Sequence, residues 1–140
     1  MKSITILLFL LLVITSCKSV ELDPTNIVGK WKFTDIYQSK SSSGNFGNWQ
    51  KSITISGNPI LEFTKNGYFL KDGKPGAECC TFGDKYNLSG NKISFTELSR
   101  SPSCKLINCY NCVEVIIEKI DADSLILNEC YLKNKYVRVK

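Results

Sequence analysis

Between residues 27 and 140, hydrophobic and polar residues alternate in short runs that are separated by turn residues. A period of two is typical of strands that bury one face, because successive side chains of a strand point to opposite sides. No segment in this range has a sustained helical period. The pattern predicts eight or nine strands, at Val28–Tyr37, Lys51–Ser56, Ile60–Lys65, Tyr68–Lys71, Lys85–Leu88, Lys92–Glu97, Val113–Ile120, Ser124–Tyr131 and Tyr136–Lys140.

Tight turns separate most of these strands. Asn66-Gly67 is the strongest hairpin signal, because both residues tolerate a positive φ. Ser89-Gly90-Asn91 and Asp121-Ala122-Asp123 predict two further hairpins. Consecutive hairpins form an up-and-down antiparallel meander, and closing the meander into a barrel removes its exposed edges. We therefore expect an all-β fold, a small barrel of about eight strands, with a two-sheet β-sandwich as the alternative.

Residues 1–16 have the pattern of an export signal. Lys2 gives a positively charged start, and the run Ile4–Ile14 is apolar except for Thr5. As a helix this run would be about 16 Å long, against a bilayer hydrocarbon core of roughly 30 Å. The run is too short to span a membrane, and we expect residues 1–16 to be a signal peptide.

The segment Ile14-Thr15-Ser16-Cys17 ends this signal. It resembles the lipobox of bacterial lipoproteins, which implies cleavage before Cys17 and lipidation of that cysteine with acyl chains such as palmitate. An ordinary secretory signal with a chance cysteine is the alternative. Residues 17–26 are then a lipidated tether, and residues 27–140 form the domain. We expect the protein in the cell envelope, anchored to a membrane through Cys17 and facing the periplasm or the exterior.

Six cysteines remain once Cys17 is assigned to the lipid. They are Cys79, Cys80, Cys104, Cys109, Cys112 and Cys130. An even number in an exported domain predicts three disulfides, whose pairing the sequence leaves open. The spacing Cys104-x4-Cys109-x2-Cys112 also copies that of iron–sulfur ligands, and four thiolates could hold zinc. Both sites need reduced thiols, which an oxidising compartment disfavours, and we expect no metal and no cofactor.

Charge and residue types bear on the class of function. The 140-residue chain has a formal net charge of +5, but its lysines and arginines are interspersed, so we expect no nucleic-acid partner. It contains no histidine, the commonest general base and metal ligand. No G-x-S-x-G or phosphate-binding loop is present either. We expect a protein that is not an enzyme.

A long irregular segment, Ser39–Gln50, carries two aromatic residues, Phe46 and Trp49. Aromatic rings on a loop are candidates for a ligand or partner contact, because binding residues are often placed on loops. The alternative is that both rings pack onto the end of the barrel.

The first strand opens with Gly29-Lys30-Trp31, which resembles the G-x-W signature of lipocalins. The domain as a whole resembles the small lipocalin-like lipoproteins of bacterial envelopes. The resemblance implies that Trp31 closes one end of an eight-stranded barrel and that Arg138, from the last strand, packs across its ring. Gly29, Trp31 and Arg138 would then be a structural motif.

The sequence leaves two functions open. The resemblance implies that the barrel binds a small apolar ligand at the cell envelope. The alternative is a structural or inhibitor-like lipoprotein that contacts an envelope protein and has no cavity. That alternative requires the interior to be filled by aromatic side chains, for which the candidates are Phe33, Phe63, Phe69 and Phe95.

Overall fold

The computed structural model describes residues 24–52, 57–75, 83–97 and 114–140. These ranges contain one 3-10 turn, Pro24–Ile27, and nine strands. The strands are β1 (Gly29–Ser39), β2 (Gln50–Lys51), β3 (Ile60–Phe63), β4 (Phe69–Lys71), β5 (Lys85–Ser89), β6 (Lys92–Thr96), β7 (Glu114–Ile120), β8 (Ser124–Glu129) and β9 (Leu132–Arg138).

Eight of these strands form one antiparallel sheet in the order β4-β3-β1-β9-β8-β7-β6-β5, and β2 pairs with β1 beside it. The two outer strands, β4 and β5, meet. The amide of Phe69 donates to the carbonyl of Asp84 at 2.8 Å, and the amide of Tyr86 donates to the carbonyl of Gly67 at 2.8 Å. These bonds nearly close the sheet into a barrel, so the predicted up-and-down β-barrel is confirmed and the β-sandwich alternative is wrong.

The hairpins with glycine turns lie where the sequence placed them. Gly67 has φ +79° in the turn between β3 and β4, a conformation that glycine adopts without a steric penalty. In the next hairpin, Ser89 pairs with Lys92, which leaves Gly90-Asn91 as a two-residue turn. That turn is one residue shorter than Ser89-Gly90-Asn91, because Ser89 continues the ladder of β5.

The last hairpin differs from the prediction. The sequence pattern placed strands at Ser124–Tyr131 and Tyr136–Lys140, whereas β8 ends earlier and β9 begins at Leu132. Cys130 and Tyr131 form the turn between them, and Cys130 has φ +59°. The prediction was wrong here because this turn contains none of the residues that normally mark one, glycine, proline, asparagine or aspartate.

Strand β1 connects most of the sheet. It runs two residues beyond the predicted end at Tyr37 and pairs with β2, β3 and β9. Its register against β9 shifts between Phe33 and Tyr37. A shift of this kind bends a strand and increases its local twist, which helps a sheet to close. Of the predicted strand Lys51–Ser56, only the start belongs to β2, and residues 53–56 lie outside the described residues.

The core fills the interior at one end of the barrel. The side chains of Trp31, Phe63 and Leu125 are fully buried there, and the ring of Phe63 lies 5.1 Å from those of both Phe69 and Tyr86. Tilted and edge-on aromatic contacts of this kind add to the burial of apolar surface. Within the described ranges, no helix has the length and hydrophobicity that a membrane crossing needs.

Candidate functional site

One end of the barrel, which we call the closed end, is built around Trp31. Its side chain is fully buried, and its Nε1 donates a 2.7 Å hydrogen bond to the carbonyl of Ile27 in the 3-10 turn. The guanidinium carbon of Arg138 lies 4.1 Å from the centre of the Trp31 ring. A cation at this distance is attracted by the electron-rich face of an indole.

Arg138 also bonds to two separate parts of the chain, through three backbone carbonyls. Its Nε donates to the carbonyl of Ala122 at 2.6 Å, its Nη1 to Val28 at 3.0 Å and its Nη2 to Asn26 at 2.6 Å. Ala122 lies in the β7–β8 connection, Val28 directly precedes β1, and Asn26 lies in the N-terminal turn. Because the guanidinium is planar and presents its donors in a fixed geometry, these bonds hold it over the indole.

Gly29 leaves the space that this arrangement requires. Its φ is +136°, a conformation that side chains with a Cβ rarely adopt. A Cβ built there would lie 2.6 Å from Nη1 of Arg138. The structure therefore brings Gly29, Trp31 and Arg138 together as one packed unit that shuts the closed end.

A cavity of about 370 Å³ lies beyond Trp31, toward the other end of the barrel, and is open to solvent. Strand β1 shows its position: Trp31 lies at the closed end, whereas Phe33 and Tyr37 line the cavity. The lining residues come from β1, β3, β4, β8 and β9 and the segments beside them, and they are Phe33, Tyr37, Ser52, Pro59, Leu61, Phe69, Lys71, Glu129, Leu132, Asn134 and Tyr136. We call this end the mouth. The volume lies within the range of small-molecule sites, roughly 300–1,000 Å³.

Glu129, the last residue of β8, places a carboxylate in this apolar wall. The hydroxyl of Tyr136 donates to its Oε1 at 2.7 Å, and the side-chain amide of Asn134 donates to its Oε2 at 2.9 Å. Both donors belong to β9 and are two residues apart, so they share the inward face of the strand. The neighbouring strand therefore holds the carboxylate in one orientation.

Burial governs the ionisation of this group. It raises the pKa of Glu129 to about 7, although the bonds from Tyr136 and Asn134 and the positive charge of Lys71 act in the opposite direction. Burial and the nearby Glu129 charge raise the pKa of Tyr136 well above its usual value. The Tyr136 hydroxyl therefore keeps its proton and remains a donor.

Sequence reasoning missed Glu129, although the sequence contains a signal. In the segment Ser124–Glu129, Leu125, Leu127 and Glu129 have the same parity, and both leucines are buried. In a strand whose side chains alternate, an acidic residue at an inward-facing position directs its carboxylate into the interior. The predicted strand Ser124–Tyr131 includes Glu129, so its alternation is sufficient to place this side chain on the inward face.

The structure does not bring Phe46 and Trp49 into the cavity. Phe46 is half-buried, with the ammonium of Lys133 at 4.2 Å and that of Lys40 at 5.8 Å from its ring centre. Lys133 also forms a 2.6 Å ion pair with Glu118 of β7. Trp49 remains 43% exposed. Phe46 thus packs onto the barrel, and Trp49 directly precedes Gln50, which pairs with the cavity-lining Tyr37.

The cysteine predictions fall largely outside the described residues. Cys17 does so, and so do Cys79, Cys80, Cys104, Cys109 and Cys112. Cys130 lies in the β8–β9 turn beside Glu129. The three disulfides therefore remain a prediction. Among the residues that the structure describes, no group of acidic or cysteine side chains is arranged to hold a metal ion.

Comparison with known proteins finds two solved structures with a similar course of the chain, whereas no family model and no curated protein matches. One is a lipocalin-like protein from Bacteroides uniformis ATCC 8492, with 18% identity, a TM-score of 0.42, and coverage of 81% of this chain and 99% of the other. The second is an uncharacterized protein from Bacteroides eggerthii DSM 20697, with 18% identity, a TM-score of 0.41, and coverage of 80% and 98%. The similarity concerns the fold alone.

Proposed function

We propose that this protein binds a small apolar molecule inside its barrel and that it works at the cell envelope, held to a membrane by lipid on Cys17. The observation that carries the binding proposal is the 370 Å³ cavity at the mouth. Its walls combine aromatic and aliphatic side chains with polar ones, and two of the polar groups, from Asn134 and Tyr136, bond to the carboxylate of Glu129. This combination is typical of small-molecule sites.

The closed end supports the same proposal. Trp31 and Arg138 pack across one end of the barrel, so we expect a molecule to enter from the other. Phe33, Leu61 and Phe69 would contact its apolar body. Each square ångström of apolar surface that leaves water contributes about 25 cal/mol, which makes burial in this cavity favourable for a small hydrophobic molecule.

The position of the N-terminal turn gives the anchored protein an orientation. Ile27 is fully buried and the carbonyl of Asn26 accepts a bond from Arg138, so the chain enters the barrel at its closed end. Residues 18–23 separate this turn from Cys17 and can span at most about 20 Å. A lipid on Cys17 would hold the closed end near the bilayer and direct the mouth away from it. The ligand would then arrive from the aqueous side.

The anchoring proposal predicts a change in mass and location. The full-length protein, expressed in a bacterium, should fractionate with membranes, and its intact mass should correspond to a chain that begins at an acylated Cys17. The variant Cys17→Ser should lose both properties, because the thiol that receives the lipid is absent. An unprocessed or unacylated N-terminus in the wild-type protein would contradict the proposal.

The binding proposal predicts saturable uptake of an uncharged hydrophobic dye, N-phenyl-1-naphthylamine, whose fluorescence rises in apolar surroundings. Leu132 lines the cavity and Val137 points away from it on the same strand, and the two are 40% and 41% exposed. We expect Leu132→Trp to narrow the mouth and weaken dye binding about tenfold, which is about 1.4 kcal/mol. The matched variant Val137→Trp should bind like the wild type. Equal affinities in both variants, or no saturation, would count against a ligand in the barrel.

A second candidate function is contact with another envelope protein, without catalysis and without a ligand. Trp49, Tyr131 and Leu132 are large, exposed and near the mouth, which faces away from the membrane in the anchored orientation. Exposed aromatic residues are enriched where proteins bind each other. Failure of dye binding, together with a specific partner cross-linked through Trp49, would favour this function over the first.

A further inference from the structure

We propose that the ligand of this cavity carries a positively charged amine, that the amine binds the carboxylate of Glu129, and that the remainder of the ligand is apolar. This inference rests on the proposed function and specifies the class of ligand. It has three supports: the acceptor positions of the carboxylate that its bonds to β9 leave open, the balance of charge in the cavity wall, and the apolar surface around them.

The Glu129 carboxylate can accept more hydrogen bonds than the two that it receives from β9. Oε1 accepts from the Tyr136 hydroxyl and Oε2 accepts from the Asn134 amide. Each oxygen of an ionised carboxylate can accept two hydrogen bonds, and Glu129 lines the cavity. The bonds to β9 also fix the direction of the side chain, so the site is oriented before a ligand arrives. A complementary ligand group must therefore be a hydrogen-bond donor.

The charges around Glu129 favour a cationic donor over a neutral one. Among the lining residues that the structure describes, Glu129 and Lys71 carry charges, and Tyr37 and Tyr136 carry the other titratable groups. The charge of Lys71 and the two hydrogen bonds offset only part of the cost of burying the carboxylate, since its pKa still lies near 7. An ammonium group would supply the remaining compensation. Perturbed acids in a cavity are frequent at functional sites for this reason.

The same geometry disfavours an acidic head group. A ligand carboxylate beside an ionised Glu129 would meet a like charge in an environment of low polarity. It could bind only by approaching Lys71 or after Glu129 takes up a proton, and its affinity would then rise as the pH falls. An amine depends on ionised Glu129, and its affinity must rise with pH. The two classes therefore differ in the sign of their pH dependence.

Three probes with one alkyl chain and different heads test the proposal: octylamine, 1-octanol and octanoate, titrated by calorimetry into the full domain at pH 6 and pH 8. With a pKa of about 7, Glu129 is about nine-tenths ionised at pH 8 and about one-tenth at pH 6. We expect octylamine to bind about tenfold more tightly than octanol at pH 8. Between pH 8 and pH 6 octylamine should lose about tenfold in affinity, while octanol changes little.

Two variants separate the role of Glu129 from general effects. Glu129→Gln keeps the size of the side chain and should bind octylamine and octanol equally at both pH values. Glu114→Gln removes the same charge from the exposed face of β7, where Glu114 pairs with Lys92, and should behave like the wild type. Tyr136→Phe removes one donor to the carboxylate, so the pH midpoint of octylamine binding should move upward.

The outcomes distinguish this inference from the proposed function. Octanol binding without a preference for octylamine, or a preference that survives in Glu129→Gln, would overturn the amine assignment and leave an apolar ligand in place. Tighter binding of octanoate would overturn it in the same way. If none of the three probes binds, the proposed function fails and this inference fails with it.

Discussion

Replacing Trp31 with alanine is expected to lower the free energy of unfolding by about 3–5 kcal/mol, the cost of deleting a large buried aromatic side chain. The side chain is fully buried at the closed end. Its loss would leave a cavity, remove the partner of the Ile27 carbonyl and withdraw the ring beneath Arg138. Domains of this size are stable by about 5–15 kcal/mol, so the variant should be close to the limit of folding.

Urea denaturation followed by circular dichroism measures this effect without relying on tryptophan emission. Trp49→Ala is the matched control, because the Trp49 side chain is 43% exposed, and it should change stability by no more than about 0.5 kcal/mol. Trp31→Phe should fall between the two, since it keeps a ring but leaves the Ile27 carbonyl without its donor. Equal midpoints for Trp31→Ala and Trp49→Ala would show that the closed end is not organised around Trp31.

The stability of the domain should fall by about 3 kcal/mol as the pH rises from about 4.5 to 8, because of Glu129. Its pKa is about 7 in the folded protein and 4.5 for the unperturbed group. Below pH 4.5 the carboxyl is protonated in both states. Between 4.5 and 7 the unfolded chain releases the proton while the folded chain keeps it, so unfolding becomes easier. Above 7 both states are ionised and the loss is complete.

This pH window contains few other titrating groups. The chain has no histidine. Hydrogen bonds to backbone amides lower the pKa of Asp121, whose effect on stability lies at more acidic pH, and the bond to Glu97 raises the pKa of Lys85, which titrates at alkaline pH. The part of the decline that disappears in Glu129→Gln therefore reports the Glu129 carboxyl.

Denaturation at half-unit intervals between pH 4.5 and 8 tests this prediction. Glu129→Gln should be nearly independent of pH across the window, whereas Glu114→Gln should retain the decline of the wild type, because Glu114 is exposed. Stability that increases with pH, or the same decline in Glu129→Gln, would contradict the burial of the Glu129 charge.

Local sequence signals were sufficient to predict the fold. Gly67 and Gly90 mark turns that depend on a few neighbouring residues, and the alternation of the flanking strands assigns their faces. Where that local signal is missing, the prediction failed, as at Cys130 and Tyr131, whose turn is imposed by the pairing of β8 with β9. The packing of Arg138 across Trp31 at the closed end was predicted because Gly29, Trp31 and Arg138 resemble a known signature.

The cavity and its carboxylate depended on the tertiary structure. Alternation predicts that Phe33 and Glu129 face inward, but not whether the interior is full. That depends on where the barrel closes and on how far the core around Phe63 extends. The sequence by itself determined an all-β meander, and its resemblance to a known signature predicted the contact between Trp31 and Arg138. The three-dimensional pairing of β8 with β9 placed Glu129 beside Tyr136 and Asn134, because the register of the two strands brings these side chains to the same part of the cavity wall.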